Sequence, residues 1–161
     1  MTSHFNPLEI TVDTREQRPW AFPPGAAVVV RLGLNAGDYA LTGDPGFAIE
    51  RKSLEDFVGT VASGWDRFQR EIERMDGYPV KLIIVEGTDG DVVAGEYNHP
   101  LLTPAFVTKR IVELQWMGVH VYFAGNPYRA AQIAFLHLLQ RRRELDGNSD
   151  CSDQTDNLPE A

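Results

Sequence analysis

The sequence predicts an α/β domain in which helices flank the faces of a central mixed sheet. Three observations support this class. Strand-like segments rich in β-branched residues crowd the N-terminal half, helix-like and strand-like segments alternate after it, and 161 residues with 43% hydrophobic content suffice for one core. No internal repeat is visible, so a single domain is expected.

The predicted strands are short apolar or alternating runs. They cover residues 8–13, 26–32, 38–41, 47–51, 80–86 and 119–123. Gly and Pro residues at 23–25, 43–46 and 87–90 predict turns between them. The strand-rich N-terminal half predicts an antiparallel meander at one side of the sheet.

Helix start signals and apolar spacing predict four helices. Their starting residues are Ser53 as an N-cap, Trp65 at the head of an apolar stripe, and Pro104 and Pro127 in first helical turns. The helices are expected to end near residues 61, 75, 116 and 142. The fourth helix is apolar around most of its circumference, which leaves a deeply buried core helix and a dimer interface as alternatives.

The formal charge of −8 at first argues against a nucleic-acid partner, because phosphate binding usually needs a basic surface. Six of the 23 acidic residues, however, follow Arg143, so residues 1–143 carry 15 basic and 17 acidic groups. Residues 144–161 are expected to form an acidic, disordered tail outside the domain of residues 1–143. A solvated tail is the simpler interpretation, and a tail that mimics DNA is the alternative.

Several protein classes are excluded by what the sequence lacks. Cys151 is the only cysteine, which leaves neither a disulfide framework nor a Cys-based zinc site. No apolar run reaches the roughly 18–20 residues that span a membrane, and the N-terminus does not resemble a signal peptide. A cytoplasmic protein without a membrane partner is therefore expected.

Polar residues cluster at three predicted strand ends. The clusters are residues 12–16, residues 37–39, and residues 50–52 together with Asp56. A Gly/Pro turn separates Asp38 from Glu50, which is the arrangement of a hairpin that brings both carboxylates to one end of a sheet. Lys52 lies two residues beyond Glu50 and therefore on the same face.

These residue types are suited to phosphodiester hydrolysis. Two carboxylates and a main-chain carbonyl form a hard oxygen site for Mg²⁺ or Mn²⁺. The metal acidifies a bound water and offsets charge on the scissile phosphate, while the neighbouring lysine orients or deprotonates that water. Charged residues are also common at exposed strand ends, so this motif alone leaves a solvated polar edge as the alternative.

The ordered motif set resembles the catalytic domain of the XPF-type structure-specific endonucleases. Gly37-Asp38, Glu50-Arg51-Lys52 and Asp56 match the signature of that family, and the resemblance covers about residues 8–140. It implies a restriction-endonuclease-like nuclease fold of the PD-(D/E)XK superfamily. It also implies metal-dependent cleavage of DNA that is branched or contains single strands.

The resemblance also implies roles by motif position. Asp38 and Glu50 would bind the metal through their side chains and Arg51 through its carbonyl, and Lys52 would be the catalytic base or water-positioner. The resemblance also implies catalytic roles for Asp13 as a second-sphere or second-metal group, for Arg15 as a phosphate contact and for Glu16 as an orienting group. Asp56 would be the last catalytic position, and the alternative is that its carboxylate only stabilises the N-terminus of a helix.

A basic stripe on the second helix is the candidate DNA contact. Arg67, Arg70 and Arg74 fall at helical spacing opposite the apolar stripe. The family resemblance favours a phosphate contact by Arg67, and a solvated face paired with Glu71 and Glu73 is the alternative. Many relatives carry Gln at the position of Glu71.

The leading hypothesis is a Mg²⁺- or Mn²⁺-dependent DNA endonuclease, and the alternative is a DNA-binding scaffold subunit that retains the nuclease fold. XPF-type enzymes usually continue into a helix-hairpin-helix domain, which this sequence lacks. We therefore expect a minimal bacterial or phage form that a partner protein targets to DNA, with any homodimer formed through helices 104–117 and 127–142. The loop residue His99 is expected to be structural or exposed.

Overall fold

The computed structural model describes residues 6–148, which form a six-stranded mixed sheet with helices on both faces. The strands are β1 (Leu8–Val12), β2 (Ala27–Arg31), β3 (Tyr39–Leu41), β4 (Ile49–Ser53), β5 (Lys81–Glu86) and β6 (Val119–Phe123). Their order across the sheet is β2-β1-β3-β4-β5-β6. The predicted α/β fold and its six strands are confirmed.

Among the six described strands, β3 alone runs against the others. It is antiparallel to β1 and β4, whereas β1 with β2, β4 with β5, and β5 with β6 pair in parallel. The predicted antiparallel meander is therefore wrong, because β2 follows β1 in the same direction. A parallel neighbour requires a long crossover, and the connection 13–26 provides it.

The helices are α1 (Leu54–Val61), α2 (Trp65–Glu73), α3 (Asp89–Ala94), α4 (Pro104–Trp116) and α5 (Pro127–Asn148). Ser53 caps α1 as predicted, since its side chain accepts a hydrogen bond from the N–H of Asp56. The sequence predicts only a turn at 87–90, where α3 begins. Thr88 and Asp91 form a capping box, which favours a helix start in spite of Gly90.

Two apolar clusters pack on the sheet, and alternate residues of β5 supply each of them. Leu82 and Ile84 join the α5 cluster, whereas Ile83 and Val85 join the cluster of α1, α2 and α4. One side of α5 is therefore part of the core, as the buried-helix alternative predicted. The buried residues on this side are Ala130, Ala131, Ile133, Ala134 and Leu138. Tyr128 and Leu136 stay exposed on the same helix.

The helix α5 continues to Asn148, past its predicted end near residue 142. Charged pairs support the added turns, since Arg142 contacts Asp146 at 3.0 Å and Arg141 contacts Glu144 at 3.9 Å. The domain boundary at residue 143 stays a prediction, and residues 149–161 of the predicted tail lie outside the described residues. Within residues 6–148, none of the helices has the length and apolar content needed to cross a membrane.

Candidate active site

A polar site forms at the edge of the sheet where the parallel strands β1, β4 and β5 end. The antiparallel strand β3 starts at the same edge. Asp13 follows β1, Asp38 precedes β3, Lys52 lies near the end of β4, and Glu86 ends β5. Carboxyl ends of strands are the usual location of ligand sites in α/β folds.

The β3–β4 hairpin brings Asp38 and the Glu50 segment together, as predicted. The N–H of Asp38 donates to the carbonyl of Ile49 at 2.8 Å, and the N–H of Arg51 donates to Asp38 Oδ2 at 2.8 Å. Gly37 permits this close approach, because its φ is +72° and a Cβ atom there would lie 3.0 Å from the Ile49 carbonyl oxygen. A glycine before Asp38 is therefore favoured on steric grounds, because a larger residue would collide with β4.

The charged groups of this hairpin perturb one another. Burial and the negative charge of Glu50 raise the pKa of Asp38 to about 7. Lys52 Nζ lies 2.7 Å from Glu50 Oε1 and 5.4 Å from the centre of the Phe68 ring. Burial is the largest influence on Lys52 and lowers its pKa. The carboxylates around it, Glu50 first and then Glu71 and Asp38, together more than offset this, so the net pKa is raised.

The hairpin leaves oxygen atoms that fit a divalent cation. Asp38 Oδ1 and Glu50 Oε2 make no hydrogen bond to any residue that the structure describes. Residues 6–148 contain no cluster of three or more His, Cys, Asp or Glu side chains placed to bind a metal ion. A metal ion at this hairpin would therefore be bound by two carboxylates, a main-chain carbonyl and water. Mg²⁺ suits this set because it keeps several waters and needs one or two carboxylates.

Asp13 organises the loops beside the hairpin. Its side chain is 0% exposed, and its two oxygens accept hydrogen bonds from the Arg15 guanidinium at 2.7 and 3.1 Å and from the N–H of Leu34 at 2.7 Å. The Arg15 hydrogen bond is the main cause that lowers the pKa of Asp13 to about 2. Both oxygens of Asp13 are thus engaged, and whether it acts in the second sphere or on a second metal stays a prediction.

The side chain of Arg51 joins an ion-pair network that the sequence does not predict. Its guanidinium contacts Glu16 at 2.7 Å and Glu86 at 2.8 Å, and Trp20 donates its indole N–H to Glu86. The contact of Glu16 with Arg51 is compatible with the orienting role that the family resemblance implies, and that role stays a prediction. Glu86 is an acid of this site that the sequence analysis missed, and its position at the end of a buried strand was the available signal.

Three clefts open at this edge. The carboxylate cleft, of about 550 Å³, is lined by residues that include Arg15, Glu16, Asp38, Glu50, Lys52, Asp56 and Glu86. The arginine cleft, of about 240 Å³, borders the same carboxylates and includes Arg15, Asn35, Arg67, Glu71 and Arg74. The helix cleft, of about 700 Å³, extends from Lys52 along α1 and includes Asp56, Gly59, Ser63, Gly64, Arg67 and His99.

The basic stripe of α2 is divided among these surfaces. Arg67 lines both the arginine cleft and the helix cleft, and Arg74 lines the arginine cleft. Arg70 is exposed and lines none of the three clefts. Arg67 also contacts Glu71 at 3.4 Å, which is the pairing expected if this face of the helix is only solvated. Asp56 lines two of the clefts and also lies in the first turn of α1. A catalytic role and stabilisation of the helix N-terminus therefore both stay open for this residue.

Comparisons with known proteins show the family and the fold of this chain. A family model described as the ERCC4 domain matches residues 12–136. The structure of XPF from Aeropyrum pernix is similar with a TM-score of 0.67 at 22% identity, covering 94% of this chain and 69% of that chain. The structure of XPF from Aeropyrum pernix in complex with DNA is similar with a TM-score of 0.62 at 24% identity, covering 91% of this chain and 68% of that chain. No curated protein matches the sequence significantly. The predicted restriction-endonuclease-like fold and XPF-type resemblance are confirmed.

Proposed function

The chain belongs to the ERCC4 domain family, and on that premise we propose that it is a divalent-metal-dependent endonuclease that hydrolyses phosphodiester bonds in DNA. Family and fold support a DNA nuclease. The observation that carries the catalytic proposal is the grouping of Asp38, Glu50 and Lys52 at one sheet edge. Two carboxylates that bind a metal and an amine that contacts water or phosphate are groups suited to metal-assisted phosphodiester hydrolysis.

The proposed cofactor is Mg²⁺ or Mn²⁺. Asp38, Glu50 and the carbonyl of Arg51 would hold it, in keeping with the free carboxylate oxygens of the hairpin. When bound, the ion supplies a Lewis acid that acidifies water and offsets the charge of the scissile phosphate. The contacts of Arg51 with Glu16 and Glu86 support a rigid position for the β4 backbone.

We assign Lys52 the water-positioning role. A charged amine has no lone pair to accept a proton, and the carboxylates of Glu50, Glu71 and Asp38 together raise the pKa of Lys52. Its ammonium has three N–H donors, and the contact with Glu50 leaves others for the attacking water or a phosphate oxygen. This role places a positive charge where negative charge develops during the reaction.

Arg15 and Arg67 are the proposed phosphate contacts of the site. The Arg15 side chain is 72% exposed although Asp13 holds one side of its guanidinium. Arg67 is 71% exposed and borders two clefts. Exposed guanidinium groups on either side of the carboxylates would bind the DNA backbone and offset the acidic character of the site.

The proposed substrate is branched DNA or DNA that contains single strands. The similar XPF from Aeropyrum pernix was solved in complex with DNA, which supports DNA as the substrate class. A partner protein that targets the nuclease to DNA, a homodimer through α4 and α5, and a cytoplasmic location in a bacterium or phage-infected cell remain predictions. Trp116 on α4 is 89% exposed and Leu136 on α5 is 60% exposed, which is compatible with such a dimer.

Cleavage of labelled flap, fork and single-stranded DNA in Mn²⁺, Mg²⁺ and EDTA tests the proposal. Asp38→Ala and Lys52→Ala are expected to lower the rate by at least about a hundredfold, whereas Lys109→Ala, which removes an exposed lysine on α4, should cleave like the wild type. Activity that survives the first two substitutions would overturn the assigned site. DNA binding by the wild type without metal-dependent cleavage would favour the scaffold alternative.

A further inference from the structure

The helix cleft continues beyond the proposed metal site, along the length of α1. Gly59 and Gly64 line its far part, and Arg67 and His99 border it from different segments of the chain. A Cβ atom at Gly59 would lie 3.6 Å from His99 Nε2, so the imidazole packs directly against the helix backbone. The cleft thus joins the catalytic lysine to a pair of nitrogen-bearing side chains.

The loop that carries His99 is held by hydrogen bonds on each side of this residue. The N–H of Asn98 donates to the Glu55 carboxylate at 2.8 and 3.0 Å, and the N–H of Leu102 donates to the His99 carbonyl at 3.0 Å. These contacts dock the loop on α1. The imidazole is 38% exposed, and neither ring nitrogen makes a hydrogen bond to the described residues.

The charges of the helix cleft are distributed unevenly. Its two acids, Glu55 and Asp56, lie in the first turn of α1, at the end nearest Lys52. Glu55 lies 3.8 Å from His99 Nε2 and already accepts the loop N–H. Toward Arg67 the lining residues of the cleft include no acid, although Arg67 itself contacts Glu71, which does not line this cleft, at 3.4 Å. The N–H groups of His99 and Arg67 that line the cleft are donors of the kind that bind an anion.

We infer that the space between His99 and Arg67 binds a backbone phosphate of the DNA strand, next to the scissile phosphate. This inference rests on the proposed function, because the helix cleft continues the path of a strand bound at Lys52. His99 donates a ring N–H to a phosphate oxygen, and Arg67 faces the same phosphodiester from α2. Such contacts position the strand without taking part in the chemical step.

Steady-state cleavage by His99→Ala and His99→Gln tests the contact. His99→Ala is expected to raise the KM for DNA about tenfold with kcat within about twofold of wild type, the size of one lost hydrogen bond to a charged group. His99→Gln retains an N–H donor and should recover part of the loss. His120→Ala serves as the matched control, because His120 is an exposed histidine in a different cleft.

A second measurement separates phosphate binding from a structural role of the loop. DNA with one neutral methylphosphonate linkage, moved stepwise away from the scissile bond, is cleaved by wild type and by His99→Ala. One linkage should slow the wild type about tenfold more than it slows His99→Ala, because the variant has already lost the His99 contact to that phosphate and keeps only the Arg67 contact. A full additional loss at every linkage in His99→Ala would overturn the inference.

The outcomes distinguish this inference from the proposed function. If the wild type cleaves DNA and His99→Ala has the same KM as His120→Ala, the phosphate contact is wrong and the nuclease assignment stands. If the wild type cleaves no DNA in Mn²⁺ or Mg²⁺, the proposed function fails and the contact fails with it.

Discussion

The turn that joins β3 to β4 is tied to α5 by a part-buried ion pair. The Arg141 guanidinium donates to the two oxygens of Asp44 at 2.7 and 3.0 Å, and the side chains are 17% and 6% exposed. The same turn determines how Asp38 and Glu50 face each other across the hairpin. Asp44→Ala would therefore leave a largely buried positive charge without its main partner.

Asp44→Ala is expected to lower the free energy of unfolding by about 3 kcal/mol, because breaking a buried pair costs about 3–5 kcal/mol when one charge is stranded. The value lies at the lower end because Arg141 also has Glu144 at 3.9 Å. A change of this size lowers the melting temperature by about 6–12 °C in a domain of this length. The double variant Asp44→Ala/Arg141→Met should regain about 1–2 kcal/mol, since it strands no charge.

Urea titration of the two single variants and the double variant gives the coupling energy. The neighbouring pair of Arg142 and Asp146 is the matched control, because its side chains are 45% and 65% exposed and its contact is 3.0 Å. That exposed pair should couple by about 0.3–0.5 kcal/mol. Equal coupling energies for the two pairs would refute the account of α5 docking on the hairpin.

The pH dependence gives a second check on the same pair. The hydrogen bond from Arg141 lowers the pKa of Asp44 below its ordinary value. Its stabilising effect is therefore complete above the unfolded-state pKa of about 3.9, and it is lost as the pH falls through the lower folded-state pKa. The stability difference between wild type and Asp44→Ala should stay constant from neutral pH to about pH 5 and should shrink as the pH falls below about 4.

The remaining predictions concern the site itself. Gly37→Ala should destabilise the fold by about 2 kcal/mol in thermal melts and lower DNA cleavage, because φ is +72° and the added Cβ would meet the β4 backbone at 3.0 Å; unchanged activity would refute the steric role. Asp13→Asn should flatten the acid limb of the stability profile, since the Arg15 contact lowers the Asp13 pKa to about 2 and its stabilisation is present above about pH 4 and lost toward pH 2. Glu71→Gln should tighten DNA binding in fluorescence anisotropy about twofold to fivefold, because it releases Arg67 from an exposed pair at 3.4 Å; weaker binding would contradict this.

Much of the fold and the centre of the site followed from local sequence patterns. The six strands, the Ser53 cap and the hairpin of Asp38 and Glu50 depend on residues that are close in the chain. Strand alternation and turn residues act over a few positions, so a single sequence can reveal them. The contact between Lys52 and Glu50 has the same origin, because side chains two residues apart lie on one face of a strand.

Other parts depended on segments that are far apart in the chain. The parallel direction of β2 reflects the path of a long crossover. The start of α3 is an exception, because its capping box of Thr88 and Asp91 is local and was obscured by Gly90. The Glu86 contact with Arg51 spans 35 positions, so neither residue's neighbours predict it. The hydrogen bond that Asp13 Oδ2 accepts from the N–H of Leu34 likewise comes from a separate loop, 21 positions away.

The sequence by itself determined the fold class, the family and the identity of the carboxylate and lysine groups, because these depend on residue types at short spacings. Only the tertiary structure decided what those groups contact. It paired Arg51 with Glu16 and Glu86, engaged Asp13 with Arg15, and placed His99 across a cleft from Arg67. The physical reason is that charge states and clefts depend on burial and on long-range neighbours, which exist only after the sheet and helices have packed.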